Sequence, residues 1–147
     1  MAAFNCAQLT VVDFSETALF EIEREMRETF PHIAVKAVLC DVRHAQRTTA
    51  AFAREMPDLV FHAAALKHVS MVERHPIEGV LTNVIGTWNV AEASKACGAR
   101  QMVLISTDKA VDPTNAMGAT KRLAEAVIQA QQTTGEGTRF SAVRFGN

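Results

Sequence analysis

Ser106, Thr107, Asp108 and Lys109 stand side by side. Two hydroxyls, a carboxylate and an amine in one run can bind a sugar hydroxyl, donate a proton and accept one. The same four residues could also make a polar loop with a local ion pair. Met117 and Lys121 lie four apart in a stretch that reads as helix, so they share a face. Alone, that pair reads as a core methionine beside a solvated lysine. Asp13 ends an apolar run ahead of a helical stretch. In a dinucleotide-binding fold an acid there bonds the adenosine ribose; elsewhere it is a capping or loop acid. Asp41 could meet an adenine edge or cap the next helix. Ala63, Ala64 and Ala65 suit close approach of a flat ligand, or simple packing of strand on helix.

These residues need elements to position them. Residues 8–13 read as a short buried strand, with Ser15 as the N-cap of the next helix. Leu19, Ile22, Met26 and Phe30 recur at helical spacing, and Pro31 ends that helix. Residues 33–40 form a second strand and residues 45–55 a helix closed by Pro57. Residues 58–64 form a third strand. A long helix starts at Pro76, with Val80, Val84, Trp88 and Ala91 on one face, and runs to about Cys97 before Gly98. Residues 101–106 form the fourth strand, 116–132 a helix and 139–145 the fifth strand.

Strand and helix alternate, and the strands are apolar runs rather than in/out alternations. The fold class expected is α/β, a Rossmann-like doubly wound parallel sheet. Ligands of such sheets sit beyond the carboxyl ends of the strands. There the sequence places Asp13 and Ser15, then Asp41 and Val42, then Ala63, Ala64, Ala65 and Lys67, then residues 106–109, and last Gly146 and Asn147.

Composition narrows the function. A chain of 147 residues with 48% hydrophobic and 21% charged residues is one globular domain, not a disordered segment. Fifteen Lys and Arg against sixteen Asp and Glu argue against a nucleic-acid binder, which would carry a basic stripe. Cys6, Cys40 and Cys97 form no CxxC, and His62, His68 and His75 no HExxH, so neither a disulfide framework nor a metal site is expected. No run approaches 18 apolar residues, and the N-terminus lacks a basic region, so neither a membrane segment nor a signal peptide is expected. A reducing cytoplasm fits. Tyrosine is absent, so no reaction that needs a phenol can be run by this chain alone.

Three stretches together are specific: VFHAAALKHVSMVERHPIEGVLTNVIGTWNVAEA, LISTDKAVDPTNAMGATKRLAE and AVRFGN. With VVDFSETALFEIE ahead of them, the chain resembles the CapD-like polysaccharide-biosynthesis branch of the extended short-chain dehydrogenases. These are nucleotide-sugar 4,6-dehydratases, typified by UDP-N-acetylglucosamine 4,6-dehydratase. The resemblance implies NAD-dependent oxidation at sugar C4, loss of water across C5–C6 and return of the hydride to C6. It implies a UDP-sugar substrate, NAD as cofactor, a homo-oligomeric parent enzyme, and a parent that can be anchored at the inner face of the membrane.

By resemblance, Asp108 protonates the departing 6-hydroxyl and Lys109 takes the C5 proton. Thr107, with Ser106, holds the 4-hydroxyl, and Lys121 holds the nicotinamide ribose. Asp13 with Ser15 binds the adenosine ribose, Asp41 and Val42 flank adenine, and Ala63, Ala64, Ala65 and Lys67 line the cofactor. Lys67, Ser106, Thr107 and Asn147 face the substrate, and Asn83 sits on the helix behind the site. Met117 occupies the position where most of these enzymes carry Tyr, which sets this chain apart from 4-epimerases and dTDP-glucose-type dehydratases. The chain has no glycine before Gly79. The expectation is therefore a partial domain over residues 1–147, without the family's first strand, its glycine-rich loop or the region that closes over the sugar. The alternatives are a truncated, non-catalytic binding or assembly module, and a nucleotide-sugar 4-epimerase completed by a partner.

Overall fold

A computed structural model describes residues 6–133 and 137–146. The strands are β1 (Gln8–Asp13), β2 (Ala34–Leu39), β3 (Leu59–His62), β4 (Gln101–Thr107) and β5 (Arg139–Phe145). The helices are α1 (Glu16–Thr29), α2 (Ala45–Glu55), α3 (Val69–Arg74), α4 (Pro76–Gly79), α5 (Gly86–Ala96) and α6 (Ala116–Thr133). The chain divides into one unit up to Asp41 and a second from Val42 onward.

In the first unit, β1 and β2 pair in parallel, Gln8 opposite Ala34 through Asp13 opposite Leu39. Ser15 caps α1 by accepting from the Ala18 amide at 3.3 Å. The expected stripe of α1 points inward: Leu19 is buried, and Ile22, Met26 and Phe30 are half-buried. Met26 and Phe30 close on Ile33 and Val35 to make the small core of this unit.

The second unit is a parallel sheet in the order β3-β4-β5. Among the described residues the strands thus form two sheets, not one continuous sheet. Its core gathers Val60, Val90, Ala91, Met102, Leu104, Ala124, Ile128 and Phe140. β4 is central: Met102 and Leu104 are fully buried on one face and Val103 is 8% exposed on the other. β5 instead keeps its residues from Ala142 onward exposed, so burial on both faces belongs to β4 alone among these three strands.

Two expectations are corrected. The third strand stops at His62, because residues 63–68 leave the sheet as an irregular segment. The long helix from Pro76 is not uniform: α4 and α5 are joined by six residues of π-helix, Val80–Ile85. Its expected apolar stripe is its inner face only in part: Ala91 is fully buried and Val84 half-buried, whereas Val80 and Trp88 are 39% and 47% exposed. The buried side carries Gly79, Asn83, Gly86, Thr87 and Ser94. Small and polar residues let this helix lie close to its neighbours and bond to them, and apolar periodicity does not register such a face. No described helix is long and apolar enough to cross a membrane.

Candidate active site

β4 delivers the reactive run. Thr107 is still extended, and its hydroxyl accepts from the Lys109 amide at 3.4 Å, capping the 3-10 turn Asp108–Ala110. The same hydroxyl donates to Asp108 Oδ1 at 2.9 Å, and Lys109 Nζ lies 3.5 Å from that oxygen. The Thr107 hydrogen bond, aided by the Lys109 charge, holds the Asp108 carboxyl below its ordinary range. Asp108 is exposed and Ala110 fully buried, so the turn is rooted at one end and open to solvent at the acid. The expected local ion pair is present within this turn.

α6 is locked against this turn. Asn115 Oδ1 accepts from the Gly118 amide at 2.8 Å, and Glu73 of α3 accepts from the Ala116 amide. A Cβ on Gly118 would lie 2.4 Å from the Lys109 carbonyl oxygen, a backbone atom. Only glycine lets the first turn of α6 touch the turn at residues 108–110 this closely. Gly118→Ala is expected to cost about 1–3 kcal/mol and to displace the turn at residues 108–110. Comparing amide chemical shifts there with those of α5 checks this; unmoved residues 108–110 would refute the close-packing argument.

α6 presents Met117 in its first turn and Lys121 one turn later, both buried at 3% and 5% exposure. Lys121 is therefore not the solvated lysine that spacing alone suggests. Its Nζ donates to the Ile105 carbonyl at 2.7 Å, and burial lowers its pKa against the opposing pull of Glu125. His62, at the end of β3, is buried, and its Nε2 is 3.0 Å from Thr87 Oγ1. That hydroxyl spends its proton on the Asn83 carbonyl at 2.7 Å, so it can only accept from His62. Burial first, and the Lys121 charge second, push the imidazole down to about 3, leaving it neutral.

Asn83 joins the pieces from within the π-helical segment, an irregularity often found at functional sites. It is fully buried. Its Oδ1 accepts from the Leu66 amide at 2.8 Å, while its Nδ2 donates to the Leu66 carbonyl at 3.1 Å and to Thr120 Oγ1 at 2.9 Å. It thereby ties the segment after β3 to α6. In that segment Ala63, Ala64 and Lys67 are exposed and Ala65 half-buried.

Ser106 is placed differently from Thr107. It is buried, and its hydroxyl donates to Glu125 Oε1 of α6 at 2.6 Å. Glu125, only 3% exposed, is also gripped by Arg144 of β5, Nε at 2.9 Å and Nη2 at 2.7 Å. The Arg144 hydrogen bonds lead the causes that hold its carboxyl down to about 2. Reading the sequence missed both residues. The available signal was an acid one turn beyond Lys121 and a basic residue inside an otherwise apolar strand.

In the first unit, Asp13 Oδ1 accepts from the Ser15 amide at 2.8 Å, so one carboxylate oxygen shapes the turn into α1. Asp41 is half-buried in that unit. Val42 opens the second unit, packed on its core, and its carbonyl accepts from Asn89 at 2.8 Å. Asn147 lies outside the described residues. For a nicotinamide dinucleotide the fit is partial. Asp13 is an acid at a strand end and Lys121 a buried amine, both suited to ribose hydroxyls. The first 78 residues hold no glycine turn on which a pyrophosphate could rest.

Comparison with known proteins gives the ancestry. The profile of the polysaccharide biosynthesis protein family matches residues 1–147. The capsular polysaccharide biosynthesis protein CapD of Staphylococcus aureus is 40% identical over 148 residues, covering 100% of this chain and 25% of that protein. A UDP-N-acetylglucosamine 4,6-dehydratase (inverting) of Campylobacter jejuni is 38% identical over 125 residues, 84% of this chain and 37% of that protein. The X-ray structure of Pen from Bacillus thuringiensis superposes with a TM-score of 0.88 at 36% identity, covering 99% of this chain and 44% of that one. The chain thus spans a quarter to under a half of the length of these relatives. Its α/β fold with parallel sheets is the Rossmann fold of nucleotide-sugar epimerases and dehydratases. With the family profile matched from end to end and a relative at 40% identity throughout, the chain belongs to the polysaccharide biosynthesis protein family.

Proposed function

We propose that this chain is the catalytic-turn portion of a nucleotide-sugar 4,6-dehydratase acting on a UDP-N-acetylglucosamine-type substrate in the cytoplasm, within a homo-oligomeric enzyme. The observation that carries this reading is the Thr107–Asp108–Lys109 cluster locked against a helix that offers Met117 where a phenol would be needed. NAD, when bound, supplies the hydride acceptor for oxidation at C4. Asp13 with Ser15 would meet the adenosine ribose, Asp41 and Val42 the adenine, and Ala63, Ala64, Ala65 and Lys67 the rest of the cofactor.

Water elimination then needs an acid for the 6-hydroxyl and a base for the C5 proton. Asp108 and Lys109 share the means to do both. Unliganded, Asp108 is a carboxylate, as its lowered pKa requires. Moving one proton from Lys109 to Asp108 leaves the net charge unchanged and yields the neutral acid and free amine. A bound sugar that excludes water favours that neutral form, because an ion pair loses its solvation there. Thr107 would hold the 4-hydroxyl. A thioether cannot take that proton, so Asp108 or a water is left to do it.

Product mass tests the reading. An enzyme that carries this chain together with a glycine-rich cofactor loop should return a sugar nucleotide lighter by one water. A 4-epimerase would leave the mass unchanged. Asp108→Asn and Lys109→Met should each slow elimination by roughly 10²–10⁴-fold; unchanged elimination would refute the roles. A second reading is a non-catalytic binding or assembly module. It would be chosen if the completed enzyme neither loses water from the sugar nor epimerises it.

A further inference from the structure

In the Ser106–Glu125–Arg144 cluster a buried carboxylate takes hydrogen bonds from residues on both neighbouring strands, and neither Glu125 nor Arg144 has a part in the chemistry above. A buried carboxylate costs stability unless its lone pairs are met, and an apolar trio of similar size would often pack a helix on a sheet at less cost. Glu125 is met from three sides. Arg144 approaches as a two-pronged fork, which fixes the plane of the carboxylate as well as its position. Ser106 donates from the neighbouring strand at 2.6 Å. Arg122, half exposed, stands 3.4 Å away at the rim.

The partners are not randomly placed. Ser106 and Arg144 are register partners across β4 and β5, so two adjacent strands grip one carboxylate at the same level. One turn earlier on α6, Lys121 donates to the carbonyl of Ile105, the residue before Ser106. Two successive residues of β4 are therefore fastened to two residues one turn apart on α6. Thr107, Asp108 and Lys109 follow at once. Two residues beyond Arg144, a Cβ on Gly146 would lie 3.9 Å from Asp108 Oδ2, so the end of β5 borders the acid.

We propose that Glu125 is a positioning residue of this site: clasped by Arg144 and Ser106, it locks the turn of α6 that carries Lys121 to the strand end that carries the Thr107–Asp108–Lys109 cluster. The inference rests on reading those residues as the reacting groups. Its test uses no sugar or cofactor, so the two stand or fall separately.

The test reads the Lys121 amine by the pH dependence of its acylation with acetic anhydride, followed by peptide mass spectrometry on the whole chain. The titratable or charged groups around that amine are Glu125 on its own helix, His62 from β3, Asp108 and Lys109 beyond β4, and Arg122 and Arg144 through Glu125. Glu125→Gln keeps the shape but removes the charge that favours the ammonium, so the Lys121 midpoint should fall. Arg144→Met leaves the Glu125 charge uncompensated, so the midpoint should rise. Amide exchange at residues 107–110 should quicken in both while α5 stays protected. A merely structural role predicts something else: both variants expose Lys121 and return it toward an ordinary amine. That result, or two unmoved midpoints, overturns the proposal. If Arg144→Met does not fold, Arg144→Lys keeps the charge and loses the fork. Faster exchange at residues 107–110 then supports the proposal, and unchanged exchange overturns it.

Discussion

Asn83→Leu is expected to lower the melting temperature by roughly 10–15 °C, a larger loss than the Gly118→Ala substitution in α6. The residue is fully buried and serves three backbone or hydroxyl groups at once. Leucine has similar bulk and no polar atom. It would leave the Leu66 amide, the Leu66 carbonyl and the Thr120 hydroxyl with no partner on that side. Each stranded group costs about 1–3 kcal/mol, and half-buried Leu66 recovers part of that from water, so the sum is on the order of 3–5 kcal/mol. Thr120 also donates to the Met117 carbonyl, so its loss reaches the helix that bears Met117 and Lys121. Asn83→Asp separates bonding from bulk. It can keep the acceptor for Leu66 but loses both donors and buries a charge, so it should be no better than leucine. Thermal unfolding of both variants decides the matter. A loss below about 1 kcal/mol in Asn83→Leu, the usual scale of one ordinary hydrogen bond, would mean that the network does not join these elements.

Acidification is expected to destabilise the fold well above the pH at which carboxylates titrate. His62 has a folded pKa near 3 against an ordinary 6.5. Between those values the unfolded chain binds the proton and the folded chain does not, so stability rises with pH across that window and falls on acidification. From pH 7 to pH 4.5 the loss from this one imidazole is roughly 3 kcal/mol. Glu125 acts in a lower window. Its carboxyl is held near 2 against an ordinary 4.5, so its contribution is present above 4.5 and lost as pH falls toward 2. Urea unfolding at pH 7, 5.5 and 4.5 should show a steep loss in the wild type. His62→Gln can still donate to Thr87 and does not titrate, so its curve should be flatter over the same range. Parallel curves for the two proteins would assign the acid sensitivity to other groups.

The loss has a direction within the site. A protonated His62 would stand beside the Lys121 ammonium, and the second cause of its lowered pKa is that same charge. Three buried polar groups thus share one demand. His62 must stay neutral, Asn83 must bond at both ends, and Glu125 must keep its arginine. Each makes a small domain less stable in acid or after mutation, and each touches an element that places Lys121 or the turn at residues 108–110.

The amino-acid sequence by itself determined the local elements and the reactive run. Pro31, Pro57, Pro76 and Gly98 bound the helices because their backbone restrictions act within one or two residues. Ser15 caps α1, and the stripe from Leu19 to Phe30 faces inward, because helical spacing is a local property. The stretch around residues 106–121 was legible in the same way, since Thr107, Asp108 and Lys109 meet through near neighbours alone. Tertiary structure decided the rest. Trp88 looked inward by periodicity and is exposed, because that helix buries small and polar residues whose partners lie on other elements. Lys121 looked solvated and is buried, because Ile105 and Glu125 come to it from β4 and one turn along α6. Glu125 and Arg144 gave no local sign of a joint role: 19 residues separate them, and only the parallel pairing of β4 with β5 brings the arginine to the carboxylate. Interactions between near neighbours are written in spacing, whereas a buried charge or amide acquires its meaning only when the fold supplies its partner.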